Sequence, residues 1–121
     1  MPAPPRIALD FEDGVMVVRF LDRQIMDDRI VREVFDQIDA SIPDGQPIAL
    51  ILDLSGVGMI SSAFLGRMVL LERRALRSAG KLRLCELGQT VADVLHTTNL
   101  DRVLKITRDR REAREAFDPK R

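Results

Sequence analysis

After a proline-rich start, the chain shows two short apolar, β-rich runs, at 7–11 and 15–21, separated by Glu12, Asp13 and Gly14. An Asp-Gly pair between two such runs is a strong hairpin signal and predicts an antiparallel pair of strands. The period then changes. Ile30, Val31, Val34, Phe35, Ile38 and Ile42 recur at helical spacing, with Arg29, Arg32, Glu33, Asp36 and Asp39 on the other face. Asp27 or Asp28 can cap this helix, and Pro43, Asp44 and Gly45 end it. Residues 48–54, IALILDL, are apolar without alternation until Asp53, as in a central strand covered on both faces.

A long helix is predicted from Ser61 or Ser62, with Phe64, Met68, Leu71 and Ala75 on one stripe and Gly80 as its C′ residue. The strictly alternating KLRLCEL at 81–87 reads as a strand that buries Leu82 and Leu84. A short helix at 89–96, a last strand at 103–106 and a terminal helix at 109–117 complete the pattern. Arg111 and Glu115, four residues apart, account for part of the polar face of that last helix. Strands alternating with helices after an opening hairpin imply right-handed crossovers. The expected fold is a single small α/β domain at 7–117: a mixed, mostly parallel sheet of about five strands with about four helices. An extended lead-in at 1–6 and a polar tail at 118–121 flank it.

Composition narrows the function. The 121 residues suit one hydrophobic core, and 19 basic side chains against 19 acidic ones remove the overall basic excess typical of nucleic-acid binding or adhesion to acidic membranes. No apolar run approaches the ~20 residues of a spanning helix, so a soluble, cytoplasmic protein without membrane insertion is expected. The single cysteine, Cys85, cannot form an internal disulfide and reads as a buried, inert thiol. One histidine, His96, has no second ligand type nearby in sequence, so neither a metal site nor a cofactor is expected. No phosphate-binding or zinc-protease string is present. The balance favours a binding or switching module over an enzyme.

The most informative segment is DLSGVGMISSAFLG, residues 53–66, which runs from the central strand into the long helix. Partners and ligands of open α/β folds tend to engage the carboxyl ends of strands, and a helix start presents free N–H groups. A serine there is accessible to a kinase, and its phosphate would add ~−2 charge to an uncharged surface. The plainer use of Ser61 and Ser62 is as N-cap residues. Met59 is a plausible surface contact beside them, because Met16 and Met68 sit at core spacing. Asp22, Arg23 and Gln24, after the second strand, are placed at the same end of the sheet, and Arg67 lies one turn beyond Ser62.

Together with LHTTNLDRVLKI at 95–106, this segment resembles the STAS domain family, in particular the bacterial anti-sigma factor antagonists. The resemblance covers roughly residues 7 to 117. The usual family pattern is D-S-S/T-G-L-G. Ungapped matching puts Ser62 at the phosphorylated position and Ser61 at the usual Asp, with Ala63 at the second Ser or Thr and Phe64 at the Gly. The resemblance implies a partner switch: the unmodified protein binds an anti-sigma factor that is also a serine kinase and so releases a sigma factor. Phosphorylation of Ser62, with Ser61 as the second candidate, ends the complex, and a phosphatase resets it. Asp22, Arg23, Met59, Ile60, Ser61, Ser62, Ala63, Phe64 and Arg67 are the expected partner contacts, with Phe64 placing an apolar ring on or beside the docking surface. Weak homodimerisation is compatible with this picture. The alternative is a non-phosphorylated STAS scaffold or adaptor in a sensory, stressosome-like assembly or a lipid-transport complex.

Overall fold

Asp13 and Gly14 both adopt positive φ, 53° and 81°, as a tight Asp-Gly hairpin turn requires, and they join β1 (Ile7–Glu12) to β2 (Val15–Phe20). The structure, a computed structural model, describes residues 3–118, so the lead-in at 1–6 and the tail at 118–121 lie partly outside the described residues. The chain continues through β3 (Gln24–Ile25), α1 (Asp28–Ser41), β4 (Ala49–Asp53), β5 (Met59–Ile60) and α2 (Ser62–Arg77). Then come β6 (Lys81–Cys85), α3 (Gln89–Thr97), a 3-10 turn (Leu100–Arg102) and α4 (Arg110–Glu115).

The main sheet has the order β1-β2-β4-β6, with β1 antiparallel to β2 and the other neighbours parallel. Register places Met16 beside Leu50 and Leu50 beside Leu82, so one face is a continuous apolar layer. The inward stripes of α1 and α2 close over it with Val34, Phe35, Ile38, Phe64, Met68 and Leu71. The opposite face carries Val15, Val17, Ile51 and Cys85 and is covered by Ala113 of α4. Both faces of β4 are therefore buried, which explains its unbroken apolar run.

Three expectations change. The strand expected at 103–106 is absent: Asn99 enters the left-handed region at φ 59°, the 3-10 turn follows, and only Ile106 bridges to Leu84. Leu104 is buried, but Val103 is 41% exposed, so an apolar run here reports a turn that drops one side chain into the core. Two two-residue strands, β3 and β5, instead pair in parallel as a small separate sheet. At the end of α2, Ala79, at φ 61°, takes the left-handed position expected of Gly80. Gly80 N–H donates to the Ala75 carbonyl and Ala79 N–H to that of Leu76, which closes a Schellman motif. Glycine is needed at 80 for space, because a Cβ there would lie 2.1 Å from the Ile48 carbonyl oxygen.

Candidate functional site

The site is built where β4 ends. Asp53, 4% exposed, accepts from the Ser55 N–H at 2.9 Å through Oδ1 and from Arg110 Nη2 at 2.7 Å through Oδ2. Burial pushes this carboxyl towards protonation, but the hydrogen bonds from Ser55 and Arg110 outweigh it and hold the group below the usual aspartate range. Gly56, at φ 85°, then turns the chain, and the Val57 N–H returns to the Leu54 carbonyl. The Arg23 carbonyl accepts from the N–H groups of Gly58, at 2.7 Å, and Met59, at 3.3 Å, while the Ser61 N–H donates to Ile25. These bonds bring the segment after β2 against the approach to α2.

Ser61 is the N-cap of α2. Its backbone is extended, and its Oγ accepts from the Phe64 N–H at 3.2 Å. A serine fills this role as well as the aspartate of the family pattern does. Ser62 is therefore the first helical residue. It is exposed, and its hydroxyl has no hydrogen-bond partner among the described residues. Ala63 and Gly66 are exposed beside it, and nothing crowds the Cα of Gly66.

The other expected contacts divide. Met59 is 46% exposed and Arg23 is exposed, both at the junction. Phe64 overturns its expectation. It is wholly buried, edge-on to Phe20 with ring centroids 5.5 Å apart and to Phe35 at 5.2 Å. Its ring fixes α2 to the sheet and cannot meet a partner. Ile60, 9% exposed, also points inward. Asp22 is half-buried and paired with Arg6 at 3.2 Å, and Arg6 also binds Glu33 at 3.0 Å. Arg67 lies over the Phe35 ring, 5.1 Å from its centroid, so its guanidinium is held against the protein's own surface.

Leu21 and Met26, 52% and 45% exposed, bracket β3 and were missed by sequence reasoning, because Leu21 closes an apolar strand run and reads as core. Arg110 was missed as well, since nothing local ties it to a carboxylate 57 positions away. Elsewhere, burial, with help from nearby Asp53 and Glu86, pushes the Cys85 thiol up to about 12, which leaves it unreactive. His96 is exposed, with Nδ1 2.9 Å from Asp101. Among the described residues no helix is long and apolar enough to cross a membrane.

A mixed sheet covered on one face by two long helices, with an exposed serine at the first position of α2, defines a small α/β domain. The chain belongs to the STAS domain family, whose pattern matches residues 6–113. Its fold is similar to that of an anti-sigma-factor antagonist (STAS) domain protein from Planctomyces limnophilus, at 24% identity and TM-score 0.82, over 95% of this chain and 99% of that one. An anti-sigma factor antagonist from Mycobacterium paratuberculosis is similar at 25% identity and TM-score 0.75, over 91% of each chain. A candidate anti-sigma factor antagonist from Thermotoga maritima matches at 25% identity and TM-score 0.78, over 91% of this chain and 92% of that one. No curated protein matches by sequence.

Proposed function

We propose that this protein is an anti-sigma factor antagonist that binds an anti-sigma serine kinase at the β5–α2 junction and is released by phosphorylation of Ser62. The observation that carries this reading is the division of labour between the two serines. Ser61 spends its oxygen on the helix cap, whereas Ser62 presents a free hydroxyl at the first helical position. In the reaction, Ser62 Oγ attacks the γ-phosphorus of ATP, ADP leaves, and the hydroxyl proton is released. The product carries about −1.5 to −2 charge beside the positive end of α2, so the domain tolerates it, while a partner packed on Ser62 and Ala63 does not. A phosphatase restores the hydroxyl. The protein acts as a ligand and a substrate, in the cytoplasm.

Incubation with ATP and each anti-sigma kinase of the source genome is expected to add one phosphate, placed on Ser62 by mass spectrometry. Ser62→Asp should lose the complex and Ser62→Ala should keep it. Exposed Leu21, Met26 and Met59 favour a second reading, a constitutive scaffold docked through apolar contact. That reading replaces the first if Ser62→Asp binds its partner as tightly as the parent protein.

A further inference from the structure

A groove of about 330 Å³ runs between α1 and α2, on the side of the helices away from the sheet. Its floor includes the buried Phe35 and Leu71, its rim the 56% exposed Leu70, and its charged walls Arg67, Arg74 and Arg77 against one acid, Asp39. The sole acid of α2, Glu72, is buried, so the exposed charge of this helix is wholly basic, with Arg73 adding to it. Two of these arginines are already held in place: Arg67 over the Phe35 ring, and Arg74 by Asp39 at 3.0 Å. Arg73 and Arg77 have no ion-pair partner among the described residues. In a chain with no net charge, this is a local concentration of one sign around an apolar centre.

We propose that this groove is a docking surface for an acidic amphipathic helix of a partner protein. Arg67 and Arg77 are ten positions apart, so the charged strip is about 15 Å long, the length of roughly three helical turns. A helix laid in it would set one apolar side chain against Leu70, a carboxylate against the unpaired fork of Arg77, and a second against the guanidinium N–H groups of Arg74 that Asp39 leaves open. The apolar floor and Asp39 on the wall disfavour a phosphate backbone, and a strip this short crosses few phosphates. The proposal does not depend on Ser62: the groove begins more than one turn further along α2.

The test uses the full chain and a synthetic, end-blocked helical peptide of about 14 residues, with Leu at i, i+4, i+7 spacing and Glu at the flanking positions. Backbone amide NMR titration should show saturable shifts confined to α1 and α2 around Leu70, Arg74 and Arg77. Affinity should weaken as salt rises. Arg77→Glu and Leu70→Asp should each weaken binding roughly tenfold or more, while Arg102→Glu, an equal charge change at an exposed position outside the groove, should leave it within about twofold. Ser62→Asp should leave it unchanged, so this proposal and the phosphorylation switch fail separately. The proposal is overturned if the peptide does not saturate, or if the same peptide with Lys in place of Glu binds equally. It is also overturned if Arg77→Glu has no effect, or if single-stranded DNA or anionic phosphatidylglycerol vesicles compete for the same residues more strongly than the peptide binds.

Discussion

The two faces of the main sheet are held by different physics. Under α1 and α2 lies a continuous apolar layer running from Met16 through Leu50 and Leu82 to Phe64, Met68 and Leu95. Under α4 the buried apolar cluster among the described residues is confined to Val15, Val17, Ile51, Cys85 and Ala113, and the six-residue helix is too short to be stable alone. Ion pairs supplement this small cluster. Arg110 binds Asp53 at 2.7 Å and approaches Asp10 at 3.7 Å, and Arg114 binds Glu12 and, at 3.0 Å, Asp13. Area burial is indifferent to pH and moderate salt, whereas charge pairs at half-exposed positions are not. The α4 face should therefore be the more easily opened half of the molecule.

The largest effect should come from the apolar face. Phe64→Ala removes the ring that Phe20 and Phe35 grip edge-on and is expected to cost about 3–5 kcal/mol in urea unfolding, enough to leave the domain marginal. Phe64→Leu should recover a large part of that loss. If Phe64→Ala cost less than about 1 kcal/mol, the contrast between the faces would collapse.

On the other face, Arg110→Ala strands the Asp53 carboxylate in a buried site and should cost about 1–3 kcal/mol, with hydrogen exchange rising first in α4 and at the end of β4. The pH dependence has a definite sign. The carboxyl of Asp53 is held below its ordinary range, so its stabilisation is present above the unfolded aspartate pKa and is lost as pH falls through the depressed folded value. Arg110→Ala should reduce that acid-limb loss while the Ser55 bonds remain, leaving a flatter curve below neutrality than the parent shows.

Glu72 is the counterexample within the apolar side. It is 4% exposed, and its Oε1 has no hydrogen-bond partner among the described residues. Burial raises its carboxyl above the ordinary glutamate range, only partly offset by the positive charges of Arg83 and Lys105. The sign is therefore opposite to that of Asp53: its favourable contribution is complete below the unfolded glutamate pKa and is lost as pH rises through the elevated folded value. Glu72→Met should raise stability at pH 7 by about 1 kcal/mol and have little effect in acid, where the parent carboxyl is already neutral. Equal stabilisation at pH 4 and pH 7 would show that packing, not charge burial, sets the effect.

How much of this was legible follows from range. The hairpin turn at Asp13 and Gly14, the inward stripes of α1 and α2, and the doubly covered β4 are periodic or local, and each was readable from spacing. β3 and β5 were not, because two residues carry no period and their pairing joins Gln24 to Met59 across a whole helix and strand. The bond from Arg110 to Asp53 is invisible for the same reason. The strand–helix junction was legible as the place to look, but not which side chain faces out: at a helix start one residue turns by about 100° from the next, so Phe64 and Ser62 part company within two positions.

The smallest predicted effects separate the two serines that the junction sets side by side. Ser61→Ala deletes the hydroxyl that accepts from the Phe64 N–H, leaves one of the first amides of α2 without its partner, and should cost about 0.5–1 kcal/mol. Ser61→Asp should restore that loss, since a carboxylate caps equally well and adds favourable charge at the positive end of the helix. Ser62→Ala removes a hydroxyl that bonds to nothing among the described residues, so thermal or urea unfolding should move by no more than about 0.5 kcal/mol. The pair thus gives an internal control for any binding measurement at this surface: a variant that changes stability but not binding belongs to the cap, and one that changes binding but not stability belongs to the display. If Ser62→Ala destabilised the fold as much as Ser61→Ala, the two hydroxyls would share the capping role, and the assignment of Ser62 as the freely presented one would be lost.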